Sequence, residues 1–140
     1  LSLVRDLLLR VPASLTVGAQ WRDSTIQLVC RSSMPMVVRT ISDYVVTDSA
    51  NGADGVELVI HRTSTTRIEG KTTSPWRLME VVGSGSSTLD ARVSVRSGAL
   101  SRFEGTSALT MTVTDRTTPA AMTTQAVTQR VKMTGSAISN

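Results

Sequence analysis

The residues with the clearest chemical potential are one histidine and one cysteine. His61, in the stretch VIHRTS, is the only histidine, so a Ser-His-Asp triad would have to use it. A zinc site built on His61 and Cys30 would still need one or two further ligands of the same kind. The alternation around His61 favours a place on the solvent-facing side of a strand over a catalytic base. Cys30 ends the run TIQLVC, in line with Ile26 and Leu28, and is expected to be a small buried thiol.

Two loop-like stretches could bind ions. DSANGADG, residues 48–55, places Asp48, Asn51 and Asp54 close together, but it lacks the glutamate and the spacing of an EF-hand. It is therefore interpreted as a turn-rich hairpin loop. GSGSS, residues 83–87, resembles a phosphate cradle without the lysine and the following helix that such a cradle needs, so it is expected to be a bend or a flexible connection. No catalytic, cofactor-binding or metal site is predicted, and the protein is not expected to be an enzyme.

Composition and charge narrow the class of partner. The formal net charge is +4, which makes anionic partners such as nucleic acid, lipid headgroups or acidic protein surfaces candidates. The basic residues are scattered singly, and only 3% of the residues are aromatic. Nucleic-acid binders usually add a dense basic helix or aromatic stacking platforms. The sequence therefore predicts no nucleic-acid partner.

The first residues differ in pattern from the rest. LSLVRDLLLRVP has apolar residues at helical spacing and ends in Pro12, which predicts an amphipathic helix of about three turns within a helix-and-linker segment over 1–16. Three charged residues interrupt it, and it is too short to cross a bilayer. A helix this short must pack on the sheet, on another part of the chain or on a partner. Its leucines Leu3, Leu7 and Leu8 are candidate partner contacts.

From Gln20 onward the apolar residues recur every second position, which predicts a mainly β domain over 17–140. One hairpin is expected from strands over 37–47 and 56–61, and another around the Ser97-Gly98 turn. Gly70 is expected to mark a bulge or a bend. Residues 115–121 are expected to form a loop before a last strand whose apolar side is Val127, Val131 and Met133.

These segments add up to about seven to nine antiparallel strands. A meander of this length leaves its edge strands exposed unless it closes or is covered. The sequence therefore predicts a strongly curved antiparallel sheet or partial β-barrel, with the N-terminal helix over an opening or an edge.

Both tryptophans precede an arginine near the start of an expected strand. Trp21-Arg22 and Trp76-Arg77 leave two interpretations open: an indole that caps the end of a barrel, or one that anchors a partner or headgroup layer. The candidate partner-binding residues are Leu3, Leu7, Leu8, Trp21, Arg22, Trp76 and Arg77.

The stretch VGAQWRDS, with Gly18, Trp21 and Asp23, heads the β region, and SDYVV, GVELVIHRTS, RIEGK and VRSGALSRFEG follow in order. This arrangement resembles the C-terminal repeat of bacterial exported β-proteins that carry a Gly-x-x-Trp-x-Asp element, and its fold is similar to lipoprotein-carrier half-barrels. The resemblance implies an extracytoplasmic protein of the bacterial periplasm, peripheral to a membrane.

Two functions follow as expectations. The first is a non-catalytic accessory or structural subunit that docks on protein subunits of a larger membrane-associated complex, for example a respiratory, photosynthetic or secretion assembly, with lipid headgroups as a further contact. The second is a carrier that holds a lipid or other apolar ligand in a half-barrel cavity lined by flexible methionines.

Overall fold

The computed structural model describes residues 15–31, 33–53, 55–72, 74–118 and 122–136, and all regular structure there is β-strand. Six strands form one antiparallel sheet in which each strand pairs with the next along the chain. The strands are β1 (Gln20–Arg31), β2 (Met34–Gly52), β3 (Gly55–Lys71), β4 (Met79–Ser94), β5 (Leu100–Asp115) and β6 (Thr123–Ser136). The mainly β prediction is confirmed.

The alternation in the sequence gives the sheet two unlike faces. One, here called the packed face, carries the buried residues Tyr44, Ile60 and Leu89 of the three central strands. The other, the outer face, carries charged residues such as Asp43 and Asp90. Because side chains point to opposite faces at successive residues, the register of the strand pairs fixes every residue to one face.

Apolar side chains on the packed face form two separate clusters. The upper cluster, toward the β2–β3 turn, contains the buried residues Tyr44, Val46, Ile60 and Val93. The lower cluster, toward the β3–β4 connection, contains Val38, Ile68 and Val81.

Hydroxyl groups cross the sheet between these clusters. The side chains of Ser42 and Ser64 are buried and share a hydrogen bond of 2.7 Å, and those of Thr40 and Thr66 share one of 3.1 Å. The polar groups of this band satisfy one another, as buried polar groups must.

The predicted number of seven to nine strands is wrong for the described residues, which form six longer strands of 12 to 19 residues. The expected connection at 83–87 lies inside β4 and pairs regularly with β3 and β5. The expected loop at 48–55 is mostly strand, with Gly52 opposite Gly55 at the turn. Serine and glycine here serve cross-strand packing, so they do not interrupt the strands.

The two expected hairpins are confirmed, with β2 paired to β3 and a turn between β4 and β5 in which Gly98 has φ 69°. Gly70 is not a bulge: it pairs regularly with Met36 and Val81, and a Cβ on it would lie 2.8 Å from the carbonyl oxygen of Pro35. The glycine allows that close approach. The bulges lie at Val46/Asp48 and Arg92/Val93.

β5 ends at Asp115, the first residue of the loop expected over 115–121, and the described residues after it, 116–118, are not in a strand. The backbone N–H and the hydroxyl of Thr117 donate to the Asp115 carboxylate at 2.9 and 2.5 Å. These two hydrogen bonds stabilise the charged form and lower the pKa of Asp115.

Of the two expected forms, a curved sheet or a partial barrel, the described residues show a sheet that does not close into a barrel. The sheet is open, with β1 and β6 as its two edges, and these strands do not pair with each other. The expectation assumed that the chain would hide its own edges, whereas β6 carries Arg130 and Lys132, charges of the kind that keep an open edge from pairing. The predicted helix, which ends at Pro12, lies outside the described residues. Of the linker expected after it, Leu15 and Thr16 are described, and Leu15 packs against the upper cluster.

Candidate functional site

Trp21, the first predicted partner residue on β1, packs within the sheet. Its ring stacks on Tyr44, directly opposite on β2, with ring centres 4.9 Å apart and planes 1° from parallel. Its side chain packs against the upper cluster, and its indole Nε1 is buried without a hydrogen-bond partner in the described structure. This arrangement corresponds to the capping interpretation of Trp21.

Arg22, the next residue, points to the outer face and forms a two-pronged ion pair with Asp43. Its Nε donates to one carboxylate oxygen at 2.7 Å and its Nη2 donates to the other at 3.1 Å. The contact raises the pKa of Arg22 and lowers that of Asp43. Because the Asp43 pKa is lowered by folding, any stability from the pair is present at neutral pH and is lost as the pH falls through that pKa. Both groups are exposed to solvent, so the effect is small.

Trp76 and Arg77 lie at the other end of the sheet, in the β3–β4 connection. Trp76 is 85% exposed. The hydroxyl of Thr72 donates to the Arg77 carbonyl and accepts from the Met79 N–H at 2.8 Å, so the base of the connection is fixed. Trp21 lies opposite Tyr44, in the middle of β2, whereas Trp76 follows the end of β3 that pairs with the start of β2. The structure therefore does not bring the two tryptophans together. Leu3, Leu7 and Leu8 lie outside the described residues.

The outer face of edge strand β1 carries exposed apolar side chains. Ile26 is 66% exposed, Leu28 is 82% exposed, and Cys30 is exposed on the same outer face. The expected alignment of these three residues is confirmed, but the prediction of a buried thiol is wrong, because β1 has a neighbour on one side only. Ile41 of β2, also on the outer face and 45% exposed, lies beside them and extends the apolar surface.

The other edge strand, β6, carries positive charges in its middle. Its residues are almost all exposed on both faces. Arg130 and Lys132 stand in its middle on the outer face, and Lys132 is 3.8 Å from the Glu104 carboxylate on β5. Val127 and Val131 lie on the packed face, as predicted for the apolar side of the last strand.

His61 lies on the outer face, as predicted, and contacts a carboxylate that the sequence did not single out. Its Nδ1 is 2.7 Å from Asp90, directly opposite on β4. On its other side the directly opposite residue is Val45, so the register places no serine or threonine hydroxyl across from the histidine. Among the described residues, no group of three His, Cys, Asp or Glu side chains could hold a metal ion.

The sequence did not identify Ile26 and Leu28 as surface residues. Their alternation is typical of a half-buried strand, and nothing in the local pattern tells an edge strand from a central one. The one available signal was charge: residues 24–30 carry none, whereas Arg22, Asp23 and Arg31 flank them.

No helix in the described part of the chain is long and apolar enough to cross a membrane. Comparisons of the chain with models of protein families, with curated proteins and with solved structures find no match.

Proposed function

We propose that this chain is a non-catalytic docking module that joins a larger assembly through a free edge of its sheet. The observation that carries the proposal is β1, a 12-residue edge strand with no partner strand on its outer side among the described residues and with two strongly exposed aliphatic side chains. Monomeric proteins usually protect such an edge with charges, prolines or a covering segment. An unprotected, apolar edge is the surface to which another polypeptide adds a strand.

A docking protein needs a binding surface and does not need a set of catalytic residues. The exposed apolar side chains of Ile26 and Leu28 provide such a surface. The envelope setting, a membrane-associated complex as the host and contact with lipid headgroups remain predictions from the sequence. Met34, Met36 and Met111 pack against the lower cluster. Because these partly buried methionines contact side chains of the sheet itself, they support the docking proposal over the carrier.

A lysine at Ile26 tests the proposal. Because Ile26 is already mostly exposed, Ile26→Lys should leave the fold intact while placing a charge in the middle of the docking edge. We expect the variant, gently extracted from its source, to be found as a free chain by native mass spectrometry, whereas the unaltered protein is found in a heavier complex.

Val82→Lys is the matched control. Val82 is 52% exposed on the same face, but it lies on β4, away from both edges. It should remain in the complex. If both variants remain assembled, or if the unaltered protein is itself a free monomer, edge docking is not the function.

A further inference from the structure

The peptide groups that β1 leaves free can be identified from its partner. The Val46 N–H donates to the Ala19 carbonyl and the Val46 carbonyl accepts from the Gly18 N–H, so Val46 directs its peptide groups toward the β1 side. Along a strand, the N–H and C=O groups of successive residues point alternately to the two neighbouring strands, so those of Tyr44, two residues before Val46, also point toward β1. Trp21 is the residue of β1 that lies opposite Tyr44. The N–H and C=O groups of Trp21 and of every second residue after it therefore point toward β2. Those of Ser24, Ile26 and Leu28 point away from the sheet, toward the free side of β1.

A side-chain contact agrees with this assignment. The Asp23 carboxylate accepts a hydrogen bond of 2.9 Å from the Ser24 N–H, one of the outward-facing donors. An edge N–H with no ladder partner takes a nearby carboxylate in its place. On pairing with a new strand, the Ser24 N–H would pass to a carbonyl of that strand, and the Asp23 carboxylate would become free for another partner.

Charge distinguishes the two edges as docking sites. A strand placed beside β6 meets Arg130 and Lys132 in its middle, and two β6 strands would bring four cations together. A strand placed beside β1 meets no charge over residues 24–30. The charges of β1 stand near its ends, with opposite signs at Asp23 and Arg31, both on the packed face.

We infer that β1 pairs with β1 of a second copy of this chain, antiparallel and centred on Gln27. This inference rests on the proposed edge docking and names its partner. In that register, Asp23 lies opposite Arg31 of the second copy, twice by symmetry, and Ile26 lies opposite Leu28. The backbone is compatible with this register, because residues with outward peptide groups meet each other, as they do in any two-fold antiparallel pairing of β1. An interface that matches itself in this way is the ordinary basis of a two-fold dimer.

Neighbouring registers fit less well. If the pairing were centred on Ile26, Asp23 would face Val29 and Arg31 would face Trp21, and both ion pairs would be lost. Only the register centred on Gln27 joins the opposite charges while it keeps the aliphatic side chains of the outer face together. The result is one continuous sheet with six strands from each copy, and with the two charged β6 strands at its outer ends.

A single introduced cysteine tests the register. Ser24 lies opposite Cys30 of the second copy, at a hydrogen-bonded pair position where Cα atoms are about 5.5 Å apart, a distance that a disulfide spans. Ser24→Cys should therefore give a covalent dimer under mild oxidation, and peptide mass spectra should show the introduced thiol linked to Cys30. The same link cannot form within one strand, because six residues extend about 20 Å.

Thr25→Cys is the matched control, since its side chain points to the packed face, away from Cys30. It should give no specific link. Failure of the Ser24→Cys protein to form the disulfide with Cys30, or an equal yield from Thr25→Cys, would overturn the inference.

A charge exchange provides a second test that does not depend on oxidation. Asp23→Arg should turn the dimer into a monomer by analytical ultracentrifugation, and Asp23→Arg combined with Arg31→Asp should restore it. An Asp23→Arg protein that remains dimeric, or a double variant that remains monomeric, contradicts the register. If self-pairing fails while Ile26→Lys still releases the chain from a complex with another protein, the docking function stands and the second copy is excluded. If Ile26→Lys releases nothing, both proposals fail.

Discussion

Replacing Leu89 with alanine is expected to lower the free energy of unfolding by about 2–5 kcal/mol. Leu89 is only 1% exposed and is among the largest fully buried side chains of the described structure. It lies on the packed face of β4, beside Gly105 of β5. The strands on both sides are held by their hydrogen-bond ladders, so they cannot close the space that the alanine leaves. Urea denaturation followed by circular dichroism measures the loss.

Val82→Ala is the matched control for Leu89→Ala, because Val82 lies on the same strand but is half exposed on the outer face. Its cost should stay below about 1 kcal/mol, the range of strand propensity alone. If Leu89→Ala costs no more than Val82→Ala, the packed face is not the core of the domain.

Gly105→Ala is expected to be the most harmful single-methyl addition, costing about 1–3 kcal/mol. A Cβ on Gly105 would lie 2.5 Å from the Thr88 carbonyl oxygen and 2.9 Å from a methyl group of Leu89. The first obstacle is backbone of the neighbouring strand, so relief requires β4 and β5 to separate. The change in unfolding free energy measures this cost.

Gly135→Ala adds the same methyl group where the obstacle is the Phe103 ring. That side chain can turn, and β6 is an edge strand, so the cost should be clearly smaller. Equal losses for the two variants would show that the contact between β4 and β5 is looser than the distances at Gly105 indicate.

Much of the strand pattern was readable from the sequence. The alternation of Val127, Val131 and Met133 predicted their common face correctly, and the Ser97-Gly98 turn was placed correctly, since both depend on neighbouring residues in the chain. His61 was likewise assigned to the outer face. These features are local, and local patterns determine which face a side chain takes.

Strand length was not readable in the same way. Gly85 lies in the stretch that was expected to be a bend or a flexible connection. A Cβ there would lie 2.7 Å from the Ala108 carbonyl oxygen on β5, so the glycine is needed for close packing against a strand that is distant in sequence. The stacking of Trp21 on Tyr44 likewise depends on the strand register. Whether Cys30 is buried depends on which strand ends the sheet, and composition does not reveal that order.

Amide hydrogen exchange along β1, followed by NMR at low and high protein concentration, tests the docking edge most directly. Thr25 and Gln27 face β2 and should be protected at both concentrations, whereas Ile26 and Leu28 should exchange fast in dilute protein and slowly once the chain is assembled. In Ile26→Lys protein, the Leu28 amide should stay fast at both concentrations. Ile26 and Leu28 amides as protected as Gln27 in dilute protein would mean that the edge is already covered within the chain. Fast exchange in the assembled protein would mean that assembly uses another surface, and either result would contradict edge docking.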